Sequence, residues 1–393
     1  MKLLYAGVVE LDGERADKIH FVSLARELRA LGHDLVVVAH GRSCPPALDG
    51  MEVHLLPRTT QAGAARPWYD LRLLATLTRL RGRADFAALY HRGVPLANRW
   101  ARLARLPSVV EINGIHTDEL AARGIHGPRL QAFAQRERAV IAGATRTICV
   151  TDGLRRQMIE RFGVRPEHCT VIQNGVDTAL FTPRPRAECL AQTGLPADAF
   201  HVGFVGAFQA WIDFTTLLAA AESLHAQGVP LRLTLVGDGP AYATVAAQIA
   251  QRGLAEVVQM TGRVPHSAVP VWMNAFDVCL APSSGTYIET IGKSSMKLFE
   301  YMACARPVVL AALPGEGDLM IHAQAGLVYP PGDAAALAAQ ILTLYRAPER
   351  RAELGARARA FVVQQHSWRR VAEQTVQVLD AALGQPNDAL VDR

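Results

Sequence analysis

FDVCLAPSSGTYIETIGKSSMKLFEYMACARPVVL, from Phe276 to Leu310, decides the fold class of this chain. It reads as strand, polar loop, helix, strand. Phe276 to Ala281 is an apolar run that stops at Pro282, as a buried strand does. The loop Ser283–Ser295 is polar and holds Gly285 and Gly292. Ser294 or Ser295 caps a helix over Met296–Cys304, Arg306-Pro307 ends it, and Val308–Ala311 is the next strand. Three charges are out of place for a core element. Lys297 sits in the first turn, where the helix dipole disfavours a cation by about 0.3–1 kcal/mol. Lys293 lies just before it. Glu300 follows Lys297 on the same helical face, inside the apolar set Leu298, Phe299, Tyr301 and Met302.

A helix start with free N–H groups at Ser294, Ser295 and Met296, flanked by two lysines, is a place for an anion, above all a phosphate. A carboxylate one turn deeper, Glu300, would accept hydrogen bonds from a pair of sugar hydroxyls. Together they would hold a nucleotide sugar by phosphate and ribose. Lysine usage sharpens this reading. Lys and Arg total 41, yet lysine stands only at Lys2, Lys18, Lys293 and Lys297. The chain uses arginine for surface charge almost everywhere else.

The chain has 393 residues, enough for two or three domains. Half of them are hydrophobic and 20% are charged, as in a globular protein with large cores. The net charge of +5 is spread along the chain. It permits anionic substrates, or weak contact with an anionic membrane face through the loop Thr59–Tyr69 and the basic stretch Arg99–Arg105, and argues against nucleic acid. Six cysteines include no CxxC pair, no Asp-x-Asp occurs, and no His/Cys set has ligand spacing. The expectation is a cytoplasmic protein with no metal site and no disulfide framework. The N-terminus turns polar too soon for a signal peptide, and no run of 18 apolar residues appears.

Strands and helices alternate through two halves. Lys2–Val9, Leu35–Ala39, Met51–Leu56, Ala87–Tyr90, Ser108–Ile112, Thr147–Val150 and Thr170–Ile172 read as strands of the first half. Helices are expected at Lys18–Leu31 behind an Asp17 cap, from about Tyr69 to Arg81, and at Pro95–Arg105, Arg129–Ala142 and Asp152–Phe162. The loop Glu10–Arg15 carries Gly13, where a helix start would need close backbone approach, but there is no GxGxxG. Asn113–Glu119 is a polar loop, and Asn174–Asp198 is a turn-rich boundary. The pattern then restarts with His201–Val205, Leu231–Val236 and Val257–Met260, and closes with helices at Ala334–Tyr345, Pro348–Gln364 and Trp368–Leu383. This implies two doubly wound parallel sheets, with ligands at the carboxyl ends of their strands.

At this point the motifs VIQNGVDTALFTP (171–183), FVGAF (204–208), LTLVGDGP (233–240), TGRVP (261–265), FDVCLAPSS (276–284) and KLFEYMACARPVVL (297–310) resemble, in order and spacing, a retaining glycosyltransferase of family 4. LARELRALGHDLVVV (24–38) agrees with that. The resemblance implies the GT-B fold, two Rossmann-like domains facing across a cleft. Residues 1–180 would bind the acceptor and 181–365 the nucleotide-diphosphate sugar, while the helix within 366–384 crosses back to the first domain. It also implies retention of configuration without a metal, and transfer to a hydroxyl acceptor. Glu300 matches the second glutamate of the family's Glu-x7-Glu motif. Asn113 falls where many members carry a histidine near the donor sugar, with His116 as the nearby substitute.

Two departures stand out. The first glutamate of the pair falls at Gly292, with Glu289 a partial replacement. The loop after FVG reads AFQAWID and carries no cation where many members have an arginine and a lysine. Lys293 and Lys297 would supply that charge, with Arg263 as a third candidate; Gly206 and Trp211 would line the donor site. Glu111 and Lys18 are further polar candidates near the first domain's loops. Two other readings share these motifs: a GT-B epimerase or pseudo-glycosyl coupling enzyme acting on the same donor, and a non-catalytic sugar-binding or partner subunit.

Overall fold

A computed structural model describes residues 1–57, 66–122 and 124–384. Most of the expected membrane-contacting loop Thr59–Tyr69 therefore lies outside the described residues. The chain divides into two compact units, residues 1–173 with the segment from Trp368 onward, and Asn174–Ser367.

The first unit is built on seven parallel strands, β1 (Lys2–Glu10), β2 (Asp34–His40), β3 (Glu52–Leu56), β4 (Ala88–Arg92), β5 (Ser108–Ile112), β6 (Arg146–Cys149) and β7 (Cys169–Val171). Their order is β3-β2-β1-β4-β5-β6-β7. The sheet reverses between β1 and β4, which run in register from Leu3↔Ala88 to Gly7↔Arg92. The central strands are largely buried, as in a sheet with helices on both faces, with His91, Ser108 and Glu111 as buried polar exceptions. The helix Trp368–Leu383 belongs to this unit, and its Trp368 lies edge-on to His20 at 4.8 Å.

The second unit repeats the plan with six strands, β8 (Phe200–Val205), β9 (Leu231–Val236), β10 (Val258–Gly262), β11 (Val278–Ala281), β12 (Val308–Ala311) and β13 (Gly326–Tyr329), in the order β10-β9-β8-β11-β12-β13. Here the reversal lies between β8 and β11, paired through Val278↔Val202 and Cys279↔Gly203. All the β8 side chains are buried. Phe200, Val202 and Phe204 enter one hydrophobic cluster and Val205 enters the cluster on the opposite face. In such sheets the crevice at the reversal is where a ligand fits.

Several expected loops turn out to contain helices. Asn113–Glu119 becomes a turn followed by the helix His116–Ala122. Its first amides, His116 and Thr117, donate to the Glu137 carboxylate on a later helix, a cap that no local pattern announces. The polar loop after β11 contains Thr286–Ile291, held by buried Ile288 and Ile291. The boundary region contains Arg186–Thr193, which buries Cys189 and Leu190. The first helix begins at Ala16 with Arg15 at the N-cap position, and Asp17 falls inside its first turn rather than capping it.

Candidate active site

In the second unit the loops after β8, β11 and β12 converge. β8 is followed by Gly206, whose φ of +142° suits glycine, and a Cβ there would lie 2.4 Å from the Lys297 ammonium nitrogen. The GDGP loop presses from the other side, so that a Cβ on Gly237 would lie 2.0 Å from the Gly206 carbonyl oxygen. Lys297 comes from the helix Met296–Ala303, and its Nζ stands 4.1 Å from the centre of the Phe204 ring. The residue keeps a partly open face, yet protein packs densely round its ammonium. That burial, helped by repulsion from Lys293, pushes its pKa down to about 7. Among the described residues no carboxylate reaches ion-pair distance of Nζ; Glu316 and Glu300 attract it only from farther away.

Lys293 is held in place rather than loose. Its Nζ donates to the buried Ser283 hydroxyl at 2.5 Å and lies 3.8 Å from Glu316 Oε2. Glu316, 3% exposed, also accepts from the Ser295 backbone N–H at 2.6 Å and from the Ser295 hydroxyl. Ser295 does occupy the N-cap position, but its side chain makes no cap bond to the helix. Ser294 points inward. Its hydroxyl accepts from the Asn174 N–H at 3.0 Å, and its carbonyl accepts from the Asn174 side-chain amide. The polar groups of Ser294 and Ser295 are therefore engaged by Asn174 and Glu316, which leaves Met296 and Lys297 at the open end of the helix. Glu316, Ser283, Asn174 and Phe204 were not legible as site residues. They arrive from four other segments, and only the proximity of PSS to the lysines hints at Ser283.

Glu300 lies one turn along the same helix, half-buried, with no hydrogen bond or ion pair to its carboxylate among the described residues. Trp211 packs on the unit's core while its carbonyl accepts from the Ser284 N–H at 3.2 Å, tying the β8 loop to the β11 loop. Arg263 is exposed just after β10, the edge strand two places from β8. Gly292 ends the short helix Thr286–Ile291 with φ +72°, a conformation in which a glutamate would be strained. Glu289 is exposed on that helix.

In the first unit Asn113 and His116 share one pocket of about 320 Å³ at the ends of β1, β4 and β5, together with Arg92, Glu111, Phe133 and Glu137. Asn113 is exposed and its Nδ2 donates to Glu111 Oε1 at 2.6 Å. The His116 ring meets Phe133 edge-on at 5.6 Å, with Nδ1 3.8 Å from Glu119. Glu111 is buried and also meets His20 at 3.0 Å and Arg92 at 3.2 Å, and accepts from the Tyr90 hydroxyl. Burial alone would raise its pKa; Arg92, His20 and Tyr90 together outweigh that and hold it well below the usual carboxylate range. Gly13 stands apart from this pocket. Its φ is +80°, but a Cβ there would meet nothing within 4 Å, so no close backbone approach requires it. Lys18 donates back to the Gly13 carbonyl at 2.8 Å.

Residues 18–180 match the model described as Glycosyltransferase Family 4, and residues 199–347 match the one described as Glycosyl transferases group 1. The chain is 30% identical over 329 residues to D-inositol 3-phosphate glycosyltransferase 1 of Catenulispora acidiphila, covering 81% of this chain and 74% of that one. This chain belongs to glycosyltransferase family 4. The glycosyltransferase is also 26% identical over 401 residues to the D-inositol 3-phosphate glycosyltransferase of Thermobispora bispora, with 93% and 89% of the two chains covered. Relatives named for transfer do not favour the epimerase and non-catalytic readings.

Solved structures bear out the GT-B fold of this glycosyltransferase. Sucrose-phosphate synthase of Thermosynechococcus elongatus matches with a TM-score of 0.77 at 20% identity, covering 97% and 99% of the two chains. The glycosyltransferase of Rickettsia africae matches at 0.75 and 16% identity, covering 98% and 99%. Anabaena Alr3699/HepE, solved in complex with UDP, matches at 0.74 and 20% identity, covering 97% and 100%.

Proposed function

We propose that this protein is a retaining, metal-independent glycosyltransferase that moves a sugar from a nucleotide-diphosphate donor to a hydroxyl acceptor. The observation that carries the reading is the enclosed Lys297 ammonium, unpaired among the described residues, beside Gly206 at the sheet reversal. A diphosphate would be its counter-ion, with Lys293 and the Met296 and Lys297 amides supplying further positive potential. Glu300, one turn away and unengaged, would accept from the ribose hydroxyls. Structures of proteins with this fold in complex with UDP support a nucleotide donor.

In the reaction the bond between the sugar's anomeric carbon and the phosphate oxygen breaks, and a bond to the acceptor oxygen forms on the same face. The acceptor's proton passes to the leaving phosphate, so no side-chain base is required. Lys297 stabilises the charge that grows on that phosphate, where a preorganised cation acts most strongly. Two lysines do here what a divalent metal would do elsewhere. Within the first unit, Asn113 and His116 would offer polar groups to a sugar hydroxyl that enters their pocket. The setting we assign is cytoplasmic, with a shallow membrane contact through the helices Arg66–Arg81 and Ala97–Leu103, where Leu71 is 59% and Leu103 80% exposed among arginines. No helix among the described residues is long and apolar enough to cross a membrane.

Thermal-shift titration with UDP, GDP, dTDP and ADP tests the donor half, followed by turnover of the matching nucleotide sugars in EDTA with the anomeric configuration read by NMR. Stabilisation by one nucleotide, full activity in EDTA and a retained anomer are expected. An inverted product, or loss of activity in EDTA restored by metal, would overturn it.

A further inference from the structure

The first unit's pocket has a centre that the family motifs do not mark. Glu111 is 4% exposed, and its two oxygens collect four partners: His20, Tyr90, Arg92 and Asn113. Three of the four are themselves enclosed. Tyr90 stacks on Tyr5 at 5.1 Å, His20 is wedged against Trp368, and the Arg92 guanidinium also donates to the Asp17 carbonyl at 3.3 Å. Arg92 and Glu111 border the pocket as well, but Asn113 is the exposed member of the network.

A carboxylate accepts hydrogen bonds and donates none, so the Asn113 side chain must turn its NH2 toward Glu111. Its carbonyl oxygen is then directed elsewhere, and it can only accept. The charge-assisted bond at 2.6 Å is of the strong kind that suppresses amide flipping. We infer that Glu111 is a positioning residue for the reaction: it fixes the Asn113 amide so that Oδ1 faces the pocket and accepts a hydrogen bond from a sugar hydroxyl. The pocket is thereby selective for a group that donates, an O–H, over an ether, a ketone or a fluorine at the same place. This rests on the glycosyltransferase reading for what enters the pocket, but the orientation of Asn113 does not depend on it.

The test has two independent arms. In the first, the Asn113 side-chain amide is followed by 15N NMR in the whole protein. A downfield, slowly exchanging Nδ2 proton is expected, and it should revert to ordinary exchange in Glu111→Gln. An amide that exchanges in the wild type as freely as other exposed asparagines overturns the proposal, whatever the catalytic result. In the second arm, turnover is measured with UDP-glucose, GDP-mannose, dTDP-rhamnose and ADP-glucose for Glu111→Gln, Asn113→Ala and the double variant. Each single change should lower kcat about 100-fold, and the double variant should be within about 3-fold of Asn113→Ala, because both act through one bond. Multiplied losses in the double variant would show that Glu111 acts by another route and sink the proposal. Asn113→Asp serves if Glu111→Gln does not fold. It keeps the accepting oxygen but loses the donor and faces a like charge, so it should fall as far as Asn113→Ala; wild-type turnover in Asn113→Asp overturns the proposal. A deoxyfluoro donor should lose the same factor against the wild type at one sugar position, and none against Asn113→Ala. Failure of all four donors with an intact NMR signature would count against the donor reading and leave the Asn113 orientation standing.

Discussion

The Lys297 ammonium rests on the face of Phe204, 4.1 Å from the ring centre, and among the described residues no carboxylate pairs with it. A cation–π contact of this kind contributes about 0.5–2 kcal/mol, enough to hold the side chain in place but well short of what a buried cation loses in hydration. The difference is what a bound diphosphate would recover. The aromatic face comes from β8 and the lysine from a helix more than 90 positions later, so the pair is a product of tertiary packing.

Lys297→Met should lower kcat by about 100- to 1,000-fold, the range seen when a preorganised stabilising group is removed. The fold should survive, since the lost group makes no ion pair among the described residues. Circular dichroism melting and donor turnover measured side by side check this, and a variant that turns over like the wild type would remove Lys297 from the site.

A pH dependence follows from the same residue. Its folded pKa lies near 7 and the ordinary value is 10.5, so between them the unfolded chain carries a proton that the folded chain lacks. Stability should therefore rise with pH across that window, and the rise should flatten in Lys297→Met. Binding of a nucleoside diphosphate restores the charge, so above pH 7 binding should take up protons, approaching about one per site near pH 8. Calorimetry in two buffers of different ionisation enthalpy reads the uptake directly. Lys293, Glu300 and Glu316 are the charged groups that face this ammonium.

Glu300→Gln should weaken nucleoside diphosphate binding by about 10- to 100-fold, the worth of hydrogen bonds to a charged group, with little change in melting temperature. Among the described residues the carboxylate makes no hydrogen bond or ion pair, so ligand contacts are what the change should remove. Calorimetric affinity against melting temperature separates the two effects.

Glu316→Gln should do the reverse. The buried carboxylate binds Ser295 and faces Lys293 across 3.8 Å, and breaking a buried pair costs about 3–5 kcal/mol. Chemical denaturation should show that loss at neutral pH. Stability unchanged from the wild type would mean the pair is not formed in solution.

Gly206→Ala places a methyl where the Lys297 ammonium now sits, in a backbone conformation that strains any side chain by about 1–3 kcal/mol. Nucleotide affinity should fall about 10-fold or more as the flexible lysine end is pushed aside. A crystal structure of the variant with Lys297 unmoved would contradict the packing described here.

Much of this architecture was legible from residue order alone. Apolar runs of strand length, glycines at helix ends and the repeated alternation placed every strand of the two sheets but β13, because periodicity and turn chemistry act over a few residues. Lys293, Lys297 and Glu300 could be singled out for the same reason: all three break the local pattern around them. The helix His116–Ala122 could not, since Glu137 caps it from a distant segment.

What residue order by itself determined was that the chain forms two doubly wound units, and which charged side chains break the local pattern around them. What only the tertiary structure decided was which of them remain available. Ser294 and Ser295 are engaged by Asn174 and Glu316, Asn113 donates to Glu111, and Lys297 faces an aromatic ring with no carboxylate paired to it among the described residues. Hydrogen-bond saturation and desolvation are set by neighbours brought in from remote positions, and no local reading of the chain contains them.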